Sequence, residues 1–302
     1  MFVSIPIRGS LCMLATNLPF WKRSTFLGCQ DSILGLEINL TSSSGQVFLD
    51  RMFLRRRPKN LLLHRAVESK DFGLVQSAIT SVWSVDEEDE EGKTPLRKAI
   101  EVEDEAIVKL ILTKADLTYR DSGGSTALHW AVSLGCLNVV ETLIEYGHDL
   151  EMQDDDGRTP LHLAAIIGHE PIITTLLDNG VKYYQSTTEG YTALLLAVMY
   201  GRRRSAEMLM KHGANVNAKT ESGDSALHIA AQIGDLEMVT LLLNYNANVM
   251  AVNGRGRSPG QVSRLYGHED IETFMDAFKE SQKKAARHRL NWLESHPNLG
   301  TN

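Results

Sequence analysis

The chain has 302 residues, 43% of them apolar, enough to bury the core of one large domain or two ordinary ones. Its three cysteines, Cys12, Cys29 and Cys136, are too few and too scattered for a disulfide framework, and none stands in a Cys-x-x-Cys or paired metal spacing, so a reducing compartment is expected. The formal charge of -7 is uneven: residues 1–59 carry eight Lys or Arg against three Asp or Glu, the remainder 23 against 35, and so acidic a body argues against general binding of nucleic acid through its phosphates.

Taken from the start, residues 9–21 form the longest uncharged stretch near the N-terminus, and 13 residues fall short of the roughly 20 that cross a bilayer, so no membrane span is expected. The first 30 residues contain Arg8, Lys22 and Arg23 and no acid, a composition shared by mitochondrial presequences and by disordered leaders, the latter being the reading preferred. Residues 33–54 alternate weakly around Ser42-Ser43-Ser44-Gly45, the pattern of a hairpin. Arg55-Arg56-Arg57-Pro58-Lys59 has the composition of a nuclear-import signal and equally that of a solvated edge before a folded domain.

From there the chain repeats itself. A Thr/Ser-x-Leu-x-x-Ala core returns at Thr94-Pro95-Leu96, Thr126-Ala127-Leu128, Thr159-Pro160-Leu161, Thr192-Ala193-Leu194 and Ser225-Ala226-Leu227, in steps of 32, 33, 33 and 33 residues. One step back lies Leu61-Leu62-Leu63-His64-Arg65-Ala66 and one step forward Ser258-Pro259, so seven units run from about residue 58 to about residue 275. Each can be read chemically. The Thr159 hydroxyl caps a helix, Pro160 takes the first helical position where its missing N–H costs nothing, and Gly168 allows a turn. A second helix then carries Ile172, Ile173, Leu176 and Leu177 on one face and stops at Gly180. Neither helix can bury its apolar stripe alone, so stability must come from stacking. The unit beginning near Asp89 is one residue short and has Lys114-Ala115 where others have Gly147, Gly180 and Gly213, which predicts a distorted turn. The last unit, Ser258-Pro259-Gly260-Gln261-Val262-Ser263, is polar, as a terminal cap should be. Beyond it, residues 270–290 continue as a helical pattern rich in Lys and Arg, suited to the end of a helix or to a partner.

The signature at Thr159-Pro160-Leu161-His162-Leu163-Ala164 resembles the ankyrin repeat, and the later half of each unit agrees with it. The resemblance implies an all-α solenoid of stacked helix-turn-helix units joined by β-hairpin-like loops, divided as an extension over 1–57, repeats over 58–275 and a basic helix and tail over 276–302. It implies a protein partner on the concave groove. There the residue pairs Ser133-Leu134, Ile166-Ile167, Met199-Tyr200, Gln232-Ile233 and Leu265-Tyr266 make an apolar, aromatic-tipped stripe, flanked by the loop tips Arg158, Tyr191, Asp224 and Arg257. Packing against neighbouring helices is the alternative use of those pairs. Asn217, in Asn215-Val216-Asn217-Ala218, resembles the asparagine that cytosolic hydroxylases modify in the family, and it also suits a turn.

Other constellations reduce to the repeat. His64, His129, His162 and His228 occupy equivalent places, and helices 8–10 Å apart cannot bring them to one metal ion; bonding to the adjacent turn is expected. Ser225 in Gly223-Asp224-Ser225 imitates a nucleophile yet stands where Thr159 and Thr192 cap helices. Residues 253–258 imitate a phosphate loop without its Gly-Lys-Ser/Thr. The acids at 86–91 and 154–156 are read as attracting a basic partner, and Arg202-Arg203-Arg204 as a separate basic patch. The expectation is therefore a non-enzymatic scaffold or adaptor, cytoplasmic, without cofactor, metal, small-molecule substrate or membrane attachment. The alternatives are a nuclear regulatory protein that binds a transcription component and a ubiquitin-ligase substrate adaptor, although no recruitment box is recognisable after residue 275.

Overall fold

The computed structural model describes residues 2–7, 10–15, 61–82 and 84–295, and contacts divide the chain into units of residues 1–58 and 59–302. In the first unit β1 (Phe2–Ile7) and β2 (Ser10–Ala15) pair antiparallel, Ile7 opposite Ser10 and Phe2 opposite Ala15. This hairpin precedes the place that the alternation marked; residues 33–54 and the basic run at 55–59 lie outside the described residues.

The second unit is helical. Its fourteen helices among the described residues come in seven pairs: α1 (Leu62–Glu68) and α2 (Phe72–Ser81), α3 (Pro95–Glu101) and α4 (Glu105–Leu112), α5 (Ala127–Leu134) and α6 (Leu137–Glu145), α7 (Pro160–Ile167) and α8 (Glu170–Asp178), α9 (Ala193–Met199) and α10 (Arg203–Lys211), α11 (Ala226–Ile233) and α12 (Leu236–Asn244), α13 (Pro259–Leu265) and α14 (Glu269–Ser295). Each first helix packs on the first helices before and after it, and the second helices α2 to α10 do the same more loosely. The tighter first-helix layer is the inner side of such a stack. Between the layers the buried Val, Leu, Ile and Ala of every unit join into one core running from Leu63 to Met275.

The local chemistry follows the sequence. Thr94, Thr159 and Ser258 cap helices whose first residue is proline. First helices α5, α7 and α11 end on left-handed Gly135, Gly168 and Gly234. Where the second unit lacks its glycine, α4 ends in a right-handed turn, with the Ile111 carbonyl accepting from both Lys114 and Ala115. In the sixth unit Asn246 takes the left-handed conformation that Gly147, Gly180 and Gly213 supply elsewhere. The expected polar cap is only partly polar outward: Ser258 and Gln261 close a capping box, while Ser263 is fully buried and its hydroxyl donates to the Gly260 carbonyl. The reason is α14, whose Ile271 and Met275 are buried, so that the last helix, and not α13, closes the stack.

The loops between units, here called fingers, hold themselves by one repeated device. The carboxylates of Asp89, Asp121 and Asp154 and the carboxamide oxygen of Asn253 each accept from backbone N–H groups two and four residues on, at 2.8–3.0 Å. Thr187 and Thr220 do so with a hydroxyl, accepting from Tyr191 and Asp224. Successive fingers are laced by backbone bonds from Asp155 to Gly123, Thr188 to Asp156, Glu221 to Glu189 and Gly254 to Ser222. Gly223 is tied to this lacing. Its φ is +81°, and a Cβ there would stand 2.6 Å from the Gly254 nitrogen that donates to Ser222. Gly147 has φ +80° and open space around it. Gly223→Ala therefore costs about 2 kcal/mol, left-handed strain plus a broken bond, and Gly147→Ala about 1 kcal/mol, strain alone. Urea melts of the two variants check this, and equal losses would contradict it.

Candidate functional site

The histidines belong to the fold. In three units a backbone N–H donates to the ring Nδ1: Thr126 to His129 at 3.2 Å, Thr159 to His162 at 3.1 Å and Ser225 to His228 at 3.2 Å. Nδ1 is thus an acceptor, and Nε2 carries the proton, donating to the carbonyls of Arg158, Gln185 and Arg257 at 3.0–3.1 Å. Each ring therefore staples its helix to a neighbouring finger in a neutral state, as the sequence leads one to expect. Burial pushes all three below the ordinary histidine value, His162 to about 4. His64 donates to the Lys93 carbonyl, but Leu61 replaces the hydroxyl cap and leaves His64 Nδ1 without a partner.

Ser225 shows why a short list of residue types misleads. Its Oγ is 2.8 Å from His228 Nδ1, the geometry of a nucleophile and base, yet both are buried and Thr126–His129 and Thr159–His162 repeat the arrangement at the same distance. It is a helix cap. The apparent phosphate loop at 253–258 is likewise closed, since its amides serve Asn253 and Ser222.

Charge is distributed otherwise than the runs of acids indicate. Asp89 and Asp154 are each 5% exposed and serve as finger acceptors. Burial alone would raise the Asp89 carboxyl, but the Lys93 amide, the Lys98 ammonium and the Glu91 amide outweigh it and hold it down at about 2. Asp86 accepts from the Asp116 amide and Glu88 from the Tyr119 hydroxyl. Asp86, Glu88, Asp89 and Asp154 thus serve the fingers, while Glu90, Asp155 and Asp156 stand exposed. Nearby, Arg97 lies 3.5 Å over the Trp130 ring and beside Glu101 and Asp121, and Lys98 joins Glu68 to Asp89. This ionic plate welds the first three units and was not foreseen, although Arg97 in the usual histidine place marks it. Arg202-Arg203-Arg204 is partly engaged: Arg202 donates to the Ile166 carbonyl and Arg203 pairs with Asp235 and Glu237, while Arg204, 3.7 Å from Glu170, stays 84% exposed.

The stripe pairs sit at the ends of successive first helices. Leu134 is 46% exposed, Tyr200 50%, Ile233 46%, Leu265 58% and Tyr266 50%. Gln232 is also exposed, and Ile166, Ile167 and Met199 are half-buried. Helices α5, α7, α9 and α11 contain no Lys, Arg, Asp or Glu at all, whereas α1, α3 and α13 do. The inner layer therefore has a charge-free floor four units long with charged floors at both ends. Among the flanking tips, Arg158 is held by Asp154 and Asp156, Tyr191 is half-buried, and Asp224 accepts from Ser222 and Asn253. Asn217 is not a loose turn residue: its carboxamide donates to the Asn246 carbonyl and accepts from the Asn248 amide.

A family model of ankyrin repeats in three copies matches residues 63–154 and 143–220, and one of ankyrin repeats in many copies matches residues 204–243. The chain belongs to the ankyrin-repeat family. No curated protein matches it. Among solved structures, the ankyrin repeat domain of Bcl-3, described as a unique member of the IkappaB protein family, is 28% identical, with a TM-score of 0.65 over 71% of this chain and 99% of that one. Ankyrin repeats are a protein–protein interaction domain, and the stack described here is one. No helix among the described residues is long and apolar enough to cross a membrane.

Proposed function

We propose that the chain is a non-enzymatic scaffold or adaptor that holds a partner protein against the inner face of its ankyrin stack, with Ile166, Ile167, Met199, Tyr200, Gln232, Ile233, Leu265 and Tyr266 as the contact stripe. It uses no cofactor and acts on no small molecule, nucleic acid or membrane. The observation that carries this reading is the exposure of large apolar side chains at one register of successive first helices, over floors that bear no charge from α5 to α11. Solvent-exposed apolar area in a contiguous strip is costly to leave in water, and it is what a partner covers. Aromatic and methionine side chains are the usual anchors in such surfaces.

Met199→Ala with Tyr200→Ala, which removes two adjacent anchors at the middle of the strip, weakens binding of the partner by about 1.5–3 kcal/mol, roughly ten- to hundredfold in Kd. Titration calorimetry on the folded double variant, its melting curve matched to the parent, makes the check. An unchanged Kd would remove the groove from the account.

A second reading, a nuclear regulatory protein binding a transcription component, is favoured by the basic residues 55–59 and agrees with the likeness to a member of the IkappaB protein family. A reporter fused to residues 50–62 decides it: fluorescence confined to the cytoplasm leaves it without support, and the scaffold is then cytoplasmic.

A further inference from the structure

The two ends of the charge-free floor are not electrically equivalent. At the early end three cations of the inner layer and fingers are matched, Lys93 by Glu91 and Glu101, Arg97 by Glu101 and Asp121, and Lys98 by Glu68 and Asp89, while Arg65 on α1 stands exposed. Arg158, on the third finger, is matched by Asp154 and Asp156. Acids are in surplus there, since residues 86–101 hold seven Asp or Glu against three Lys or Arg, and Glu90 is exposed. At the late end the opposite holds. The side chains of Arg255 and Arg257 on the last finger make no ion pair or hydrogen bond among the described residues, and Arg264 is 73% exposed with only Glu272, 3.9 Å away, beside it. Arg264 directly precedes Leu265 and Tyr266, the two most open adjacent apolar residues of the strip, at 58% and 50% exposed, and Arg255 and Arg257 stand on the finger that leads into the same helix.

From this we infer that the groove takes a segment of a partner protein that is apolar along its length and acidic at one end, the acidic residues lying over Arg255, Arg257 and Arg264. The inference rests on the groove reading above and adds the partner's chemistry and its direction. Guanidinium groups open to solvent in the unit that carries an apolar anchor recognise carboxylates bidentately, and the surplus acid at the other end repels the same residues, which fixes the orientation. The charge-free floors and the last unit span four steps of about 8–10 Å. An extended segment of about ten to twelve residues covers that distance.

A library of random 16-residue peptides panned on the full chain tests both layers. The expected enriched sequences carry an apolar block with Asp or Glu gathered at one end; fluorescence anisotropy on the full chain then shows about tenfold weaker binding to Arg255→Glu with Arg257→Glu, and weaker binding to Met199→Ala with Tyr200→Ala. Enriched sequences that need Met199 and Tyr200 but show no acidic bias, and bind the arginine double variant unchanged, overturn the inference and leave the groove standing. Peptides indifferent to Met199 and Tyr200, or a library that enriches nothing, overturn both. A photo-crosslinker placed at the acidic end of a selected peptide labels residues 252–266; labelling of residues 86–102 instead reverses the direction and rejects the inference.

Discussion

Acidification from pH 7.5 to 5 lowers the stability of this protein steeply, in a range where carboxylates are still ionised. The cause is the histidine staple. His129, His162 and His228 are each satisfied only as the neutral ring, because a backbone N–H occupies Nδ1. In the unfolded chain the ring binds a proton near the ordinary value of 6.5, whereas folded His162 resists it until about 4. A depressed histidine contributes stability that is present above the unfolded value and is lost as pH falls below 6.5 toward the folded one. For His162 the full loss is about 3 kcal/mol, and His129 and His228 shift in the same direction. Asp89, held at about 2, contributes stability that is lost only below its unfolded value of 3.8, so the two effects separate on the pH axis. Urea midpoints at pH 7.5, 6.5, 5.5 and 5 show the decline, which His162→Leu blunts while lowering the pH 7.5 midpoint. A flat profile over that range would mean that the staples do not hold in solution.

Leu176→Ala destabilises the stack by about 3–4 kcal/mol. Leu176 is fully buried on α8, in the fourth of seven units. Truncation removes the transfer free energy of the lost carbons and leaves a cavity that two neighbouring units must close around. In a stack stabilised by nearest-neighbour interfaces, a weak unit at the middle also divides the array, so unfolding broadens or splits into two steps. Tyr184→Ala, at a side chain 66% exposed, stays within about 0.5 kcal/mol. Calorimetric scans of the two variants compare them; a Leu176 variant that melts like the Tyr184 variant would contradict a single continuous core.

What the sequence made legible is what repeats. The 33-residue step, the Thr or Ser cap, the proline after it and the Gly that ends a helix are each set by a local conformational need, so they recur in every unit that keeps the need. The role of the four histidines was equally readable, because equivalent positions imply equivalent surroundings. What escaped depends on partners one unit away. The acids at 86–91 read as a surface for a basic partner until Asp89 is seen inside its own turn and bound to Lys98. Arg202 and Arg203 read as part of a patch until their carbonyl and carboxylate partners on other units are placed. The stripe pairs stand exposed or half-buried at first-helix ends, yet exposure alone does not tell which of them a partner covers. Helix α14 runs over Glu269–Ser295, a few residues beyond the 270–290 that the helical pattern marks.

The claim at the centre, that the inner first-helix strip is where the partner sits, is tested most directly by a photo-crosslinking residue placed at Tyr200 in the full chain and, separately, at Tyr184, which is as open to solvent but outside the strip. Irradiation in cells is predicted to give a covalent adduct with the partner from position 200 and none from position 184. An adduct from position 184 alone would place the partner elsewhere and contradict the account.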